Sequence, residues 1–247
     1  MEKNKPFFLI PIVILLLWIF QEIASRTGGF IANLFSYDRI DKYDIFAWIS
    51  VHHVVQAIIA LVLIAICVKV KCLDFGFGLG NVKEGLRHTL IFTIFVFIYA
   101  VATAIIGHIF GLTPAINFPL NATNVIGTLG FQLLISGTSE EILFRALPIA
   151  ILAYNFKTSK DVKIHKLQIP LETIIAAVLF TIAHISWRVN PFSVNYDIIQ
   201  LIISFVFGIF YGVAYQKSKS IVYPMVMHGI SNFLIVGFWY ILSFLFT

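Results

Sequence analysis

Seven stretches of this chain are apolar for long enough to cross a lipid bilayer, and that leaves few folds open to it. They are Phe7–Ala24, Ile45–Val68, Leu90–Phe110, Thr123–Tyr154, Leu171–Trp187, Ile198–Tyr215 and Ile221–Phe246. Of the 247 residues, 60% are hydrophobic and 12% charged; a soluble domain carries about a quarter charged residues. No sustained alternation of period two supports a β-barrel, and no internal repeat is visible. The runs cover the whole length. The expectation is an all-α polytopic membrane helix bundle with about seven transmembrane helices, forming a single membrane domain over 1–247. Within it, 1–122 supplies N-terminal spans and interfacial segments, and 123–247 the chemistry-bearing core.

The distribution of cations orients such a bundle. With a cytoplasmic N-terminus, the cytoplasmic pieces are the N-terminus, 69–88, 155–170 and 216–220. They hold Lys3, Lys5, Lys69, Lys71, Lys83, Arg87, Lys157, Lys160, Lys163, Lys166, Lys217 and Lys219. The outer pieces hold Arg26, Arg39, Lys42 and Arg188. This bias obeys the positive-inside rule, so the net charge of +5 reads as a topology signal facing lipid headgroups. Nucleic acid is not an expected partner; the lipid bilayer is. The expected location is a bacterial cell membrane, crossed many times. Lys3 and Lys5 precede the first run as in a signal peptide, but no small-x-small cleavage site follows, so a retained span is expected. Cys67 and Cys72 match neither CxxC nor a zinc pattern and are expected as free thiols.

Between the runs, 25–44 mixes charges with Phe30, Ile31, Leu34 and Phe35, which suggests an interfacial segment. Residues 73–80 are too glycine-rich for a stable helix, and Asn81-Val82-Lys83-Glu84 reads as a capped helix start. Thr113-Pro114 and Phe118-Pro119 break the chain before the fourth run. That run would make roughly 45 Å of helix at about 1.5 Å per residue, more than a bilayer core needs.

The fourth run contains Thr138-Ser139-Glu140-Glu141-Ile142-Leu143-Phe144-Arg145, two adjacent carboxylates and a guanidinium inside apolar helix. Each such group costs on the order of 3 kcal/mol or more in a bilayer, so it persists only when paired or useful. Glu141 and Arg145 are four apart and share a helix face, acid first, as an ion pair requires. Glu140 points about 100° away, in a polar stripe with Gln132 and Ser136 at intervals of four. The spacing assigns Glu141–Arg145 to structure and leaves Glu140 available for chemistry; a purely structural cluster of all three is the competing reading.

Two further runs carry polar groups. The fifth ends in Phe180-Thr181-Ile182-Ala183-His184, and the seventh contains His228-Gly229-Ile230-Ser231-Asn232. Counted from the cytoplasmic helix ends, Glu140 and His184 lie roughly 20 Å in, Asn232 roughly 17 Å and His228 roughly 10 Å. They are expected in one layer, displaced toward the cytoplasmic side. A carboxylate, two imidazoles and an amide can activate a water and stabilise an oxyanion. The same Glu140, His184 and His228 could instead hold zinc with an open fourth position, and the spacing does not choose. His52 and His53 with Gln56, and His108, are expected at the interface. Glu172 is expected to cap a helix, and Ser139 has no nearby base in the sequence.

Taken together, Glu140-Glu141-x-x-x-Arg145, Phe180-x-x-x-His184 and His228-x-x-x-Asn232 resemble the three motifs of the CPBP (CAAX protease and bacteriocin-processing, or Abi) membrane endopeptidases, in that family's order, over about 123–240. The glycine-rich stretch 73–86 is similar to the family's less defined upstream region. The resemblance implies that Glu140, with His184, activates the attacking water, that Glu141 and Arg145 support the site, and that His228 and Asn232 stabilise the oxyanion. It implies an endopeptidase acting on a membrane-associated peptide or protein, classed with metalloproteases although a metal-free glutamate mechanism is also proposed for the family. Eukaryotic members trim prenylated CAAX proteins, whereas bacterial members are linked to peptide processing and bacteriocin self-immunity. A CAAX substrate does not follow from the match. Two other classes compete: a peptide-binding immunity protein without hydrolysis, and a proton- or ion-coupled transporter using the same Glu and His residues.

Overall fold

The computed structural model describes residues 9–112, 116–156, 161–164 and 167–246. Thr113-Pro114, the start of the first run at Phe7, and Lys3, Lys5, Lys157, Lys160 and Lys166 lie outside them. The helices are α1 (Leu9–Ala32), α2 (Ala47–Lys71), α3 (Val82–Ile109), α4 (122–156), α5 (Leu171–Ile182), α6 (Ile198–Ser218) and α7 (Val222–Phe246). The all-α expectation holds, with five of them long and apolar enough to cross a membrane: α1, α2, α3, α6 and α7. Two short antiparallel hairpins were not anticipated. One pairs β1 (Asp161–Ile164) with β2 (Leu167–Pro170), the other β3 (Ser186–Val189) with β4 (Phe192–Asn195).

Helix starts follow from local chemistry. Asn81 accepts from the Glu84 amide and Asn121 from the Asn124 amide, each as the cap before a helix. Asp41, folded back and almost wholly buried, accepts from the amides of Ile45, Phe46 and Ala47 and so serves the orphan donors at the start of α2. Residues 73–80 are irregular, as their glycines predict. Cross-links from Asn81 N to the Ser218 carbonyl and from Ile221 N to the Gly76 carbonyl tie this strap to the α6–α7 turn.

Consecutive helices alternate in direction, so the bundle has two ends. One gathers the 72–81 strap, the α6–α7 turn and Lys69, Lys71, Lys217 and Lys219; we call it the lysine end. At the other, Tyr43 meets Phe118 and Phe118 meets Tyr240, while Trp187 of β3 reaches Glu22 of α1.

Helix α4 is the axle. It packs against α2, α5 and α7, and two stretches, Phe131–Ser136 and Ile142–Ala146, are wound with π-helical turns. In that register the Leu143 carbonyl would pair with the amide of residue 148, which is proline and has no N–H. Gln21 of α1 supplies the missing donor, its Nε2 lying 3.2 Å from that carbonyl. Close approach of α4 to α7 depends on two glycines. A Cβ at Gly137 would stand 2.6 Å from the Gly229 amide nitrogen, and one at Gly229 would collide with the Leu133 carbonyl. Small residues let helix backbones touch where lipid offers no hydrophobic drive for association.

The fifth run departs from expectation. Its helix stops at Ile182 after 12 residues, about 18 Å of rise, and the chain turns through His184 into the β3–β4 hairpin rather than continuing to Trp187.

The glycine contact makes a testable claim. Gly229→Ala should lower stability in detergent by about 1–3 kcal/mol through overpacking. Gly237→Ala on the same helix, whose nearest neighbour would be 4.0 Å away, should leave it unchanged; thermal unfolding of the two variants checks this.

Candidate active site

The expected stripe on α4 exists. Ser136 lies 3.4 Å from Glu140 Oε1, and Asn232 of α7 donates from Nδ2 to Ser136 Oγ at 3.1 Å. Gln132 completes the stripe on the wall of the same cavity, which also receives Glu140, His184, His228 and Asn232. These groups come from two helices and the turn that follows α5, and they converge on one space.

Glu141 does more than pair with Arg145. Its Oε1 lies 3.3 Å from Arg145 Nη1 and 2.8 Å from His228 Nδ1. A carboxylate only accepts, so Nδ1 of His228 carries its proton, and Nε2 faces Glu140 Oε2 at 3.6 Å. The imidazole thus bridges the two adjacent carboxylates. Its ring stacks on Tyr211 at 4.9 Å between centroids, and the Tyr211 hydroxyl is held 2.7 Å from Ser231 Oγ.

Glu141 and Arg145 are both fully buried. The guanidinium lies with Cζ 3.8 Å above the Phe180 ring and 5.3 Å from that of Tyr211. Its charge is balanced by the ion pair and by the negative faces of two rings. Phe180 also orients a histidine, since its carbonyl takes the Nδ1 proton of His184 at 2.8 Å. In neutral His184 that leaves Nε2 with a free lone pair.

Sequence reasoning missed His53, expected at the interface. It lies in the second turn of α2, buried, with Nδ1 2.9 Å from Ser139 Oγ and 3.6 Å from Glu140 Oε1. The available signal was its face: positions 53, 56, 60 and 64 are all buried, so polar His53 and Gln56 look inward. Ser139 donates its own proton to the helix carbonyls of Ile135 and Ser136, so its oxygen accepts from His53 and it is no nucleophile. Gln200, in the first turn of α6, was also missed and lines the cavity. His108 is exposed in the last turn of α3, as expected. Glu172 is not a cap: it is buried and accepts from Gln216 Nε2 at 3.1 Å, joining α5 to α6.

Two spaces with shared walls meet at the site. The smaller, about 290 Å³, contains Glu140, His53, His184 and His228. The larger, about 670 Å³, shares His184, His228, Gln200 and Asn232 and runs between α3, α6 and α7 over apolar walls such as Ile106, Phe207 and Trp239. Their lining does not lie toward the lysine end, as the depth count suggested. It comes from the start of α2, the start of α6 and the later half of α7. Below the site, Leu143, Arg145, Leu147, Tyr211, Ile221 and Met227 are each at most 1% exposed and fill the bundle toward the lysine end.

As a metal site the arrangement does not fit. Among the described residues, no three His, Cys, Asp or Glu side chains are grouped to hold one ion, and that includes the alternative zinc set of Glu140, His184 and His228.

Comparison with known proteins supports the motif reading. Residues 121–234 match the family model described as type II CAAX prenyl endopeptidase Rce1-like, bearing out the resemblance drawn from the three motifs. No curated protein and no solved structure matches the chain. The family match and the five apolar helices together describe an integral, multi-pass membrane protein.

Breaking the buried pair from either side strands a charge, at a cost of about 3–5 kcal/mol. Glu141→Ala and Arg145→Ala should each cut the yield of monodisperse protein in detergent. Removing both should cost less than the sum, which a double-mutant cycle of unfolding measures.

Proposed function

We propose that this protein is a membrane-embedded endopeptidase that hydrolyses a peptide bond with a water activated by Glu140. The observation that carries the reading is the set of one carboxylate, three imidazoles and an amide around a single cavity: Glu140, His53, His184, His228 and Asn232. The Rce1-like match over 121–234 supports the same reaction class.

In this mechanism a water sits between Glu140 and His184. His184 Nε2 accepts a hydrogen bond from it and fixes its direction, because Nδ1 is committed to the Phe180 carbonyl. Glu140 takes a proton as the water oxygen forms its bond to the scissile carbonyl carbon, and the carbonyl π electrons move onto oxygen. Asn232 keeps one amide N–H beyond the one given to Ser136, and that N–H meets the oxyanion. Protonated His228 donates the second hydrogen bond from Nε2, with its cation stabilised by Glu141 on Nδ1. One such donor is worth about 3 kcal/mol of transition-state stabilisation. Glu140 then returns its proton to the departing amine as the C–N bond breaks, and the carboxylate is regenerated. His53, beside Glu140 Oε1, positions that carboxylate rather than meeting substrate.

The closed packing below the site also favours a reaction chamber over a conduit, since an ion path needs an exit. Hydrolysis and passive peptide capture separate experimentally.

Glu140→Gln, His184→Ala and His228→Ala should each lower kcat by about 10²- to 10⁴-fold while the protein still inserts and still binds peptide. Wild-type turnover in the three variants would end the proposal, and unchanged binding without any wild-type turnover would favour capture. Dialysis against a strong chelator should leave kcat intact, because Glu140, His184, His228 and Asn232 supply the groups the reaction uses.

A further inference from the structure

Both cavities draw their lining from the end of the bundle opposite the lysines. Ile49 and His53 occupy the first two turns of α2, Asp197 and Gln200 the start of α6, Trp239 the later part of α7, and Leu112 follows α3. Asp197, Gln200 and Leu112 are exposed there. At the lysine end a separate pocket of about 360 Å³, lined by Asp74, Glu172, Lys217 and Lys219 among others, shares no residue with these cavities, and among the described residues Arg145, Tyr211, Ile221 and Met227 are buried between it and the site.

Charge tells which compartment that mouth meets. Among the described residues, the mouth end has the cations Arg26, Arg39, Lys42 and Arg188, mixed with Glu22, Asp38, Asp41, Asp44 and Asp197; Arg26 is itself paired with Glu22 at 3.1 Å. The other end has Lys69, Lys71, Lys83, Arg87, Lys163, Lys217 and Lys219, with the acids Asp74, Glu84, Asp161 and Glu172 among them. Short loops rich in Lys and Arg stay in the cytoplasm. The lysine end is therefore cytoplasmic and the mouth is not.

We infer that the substrate of this site is an exported polypeptide, soluble or membrane-tethered, that reaches Glu140 from the non-cytoplasmic side. Among the described residues, buried side chains separate the lysine end from the carboxylate. The inference rests on the endopeptidase reading for its chemistry, but the sidedness stands on packing and charge alone. The apolar walls of the larger cavity, Ile106, Phe207 and Trp239 among them, suit a peptide with bulky apolar side chains beside the scissile bond.

The native thiols supply the first test. Cys72 is exposed at the lysine end, and Arg188 is exposed on the hairpin at the mouth. In intact spheroplasts expressing the full chain, a membrane-impermeant maleimide should label the variant C67S/C72S/R188C. It should label wild-type Cys72 only after permeabilisation. Labelling of Cys72 in intact spheroplasts, or failure of R188C to label there, overturns the sidedness. The second test compares cleavage of a quenched fluorescent peptide library by right-side-out vesicles, inverted vesicles and detergent-solubilised protein, each with an E140Q control. Right-side-out vesicles should match the solubilised enzyme, and inverted ones should lose cleavage until opened. Cleavage by inverted vesicles alone refutes external access and leaves the endopeptidase standing. Solubilised E140Q as active as wild type refutes the endopeptidase, while the labelling still decides the orientation.

Discussion

The contact on which the rest of this molecule depends is the buried chain Arg145–Glu141–His228. A guanidinium and a carboxylate without solvent are tolerable only as a pair, and here a third group shares the carboxylate oxygen. The pairing joins α4 to α7 through Glu141 and His228. It also joins α4 to α5 and α6 through the rings of Phe180 and Tyr211 around Arg145. Because His228 is fixed by the same oxygen that holds the arginine, the site's geometry and the bundle's stability rest on one atom. Glu140, next in the chain, inherits its direction from that anchor.

Adjacency of the two acids then has a simple meaning. On a helix, neighbours point about 100° apart, so one can be spent on structure while the other faces the cavity. The imidazole of His228 spans that angle, with one nitrogen on each carboxylate. Two acids on the same face could not divide the work in this way. The π-helical turns on both sides of the pair allow the helix to adjust its register locally, a feature often found at functional sites.

Much of this was legible in the sequence. Hydropathy marked the five long apolar helices and spacing the Glu141–Arg145 pair; Glu140, His184, His228 and Asn232 do share a cavity, but not on the side that depth along the helices gave. What was not legible depended on neighbours distant in sequence. His53 sits 86 positions from the serine it contacts, and depth alone gave it to the interface; only the buried face of α2 reveals it. Glu172 stands where a first-turn acid usually caps, yet Gln216 across the helix pair claims it. The hairpin after His184 escaped because an apolar run reads the same whether it continues as helix or turns into strands.

That hairpin bears on how the second reactant arrives. Hydrolysis consumes a water for every bond cut, and hydrocarbon holds almost none. Helix α5 reaches only part of the way across, and the exposed strands that follow it carry backbone groups that lipid tails cannot satisfy. Such strands need water or headgroups as partners, which suits a place in the polar layer at the mouth and brings water close to His184. The shortest helix of the bundle would then act as the wick that wets the reaction.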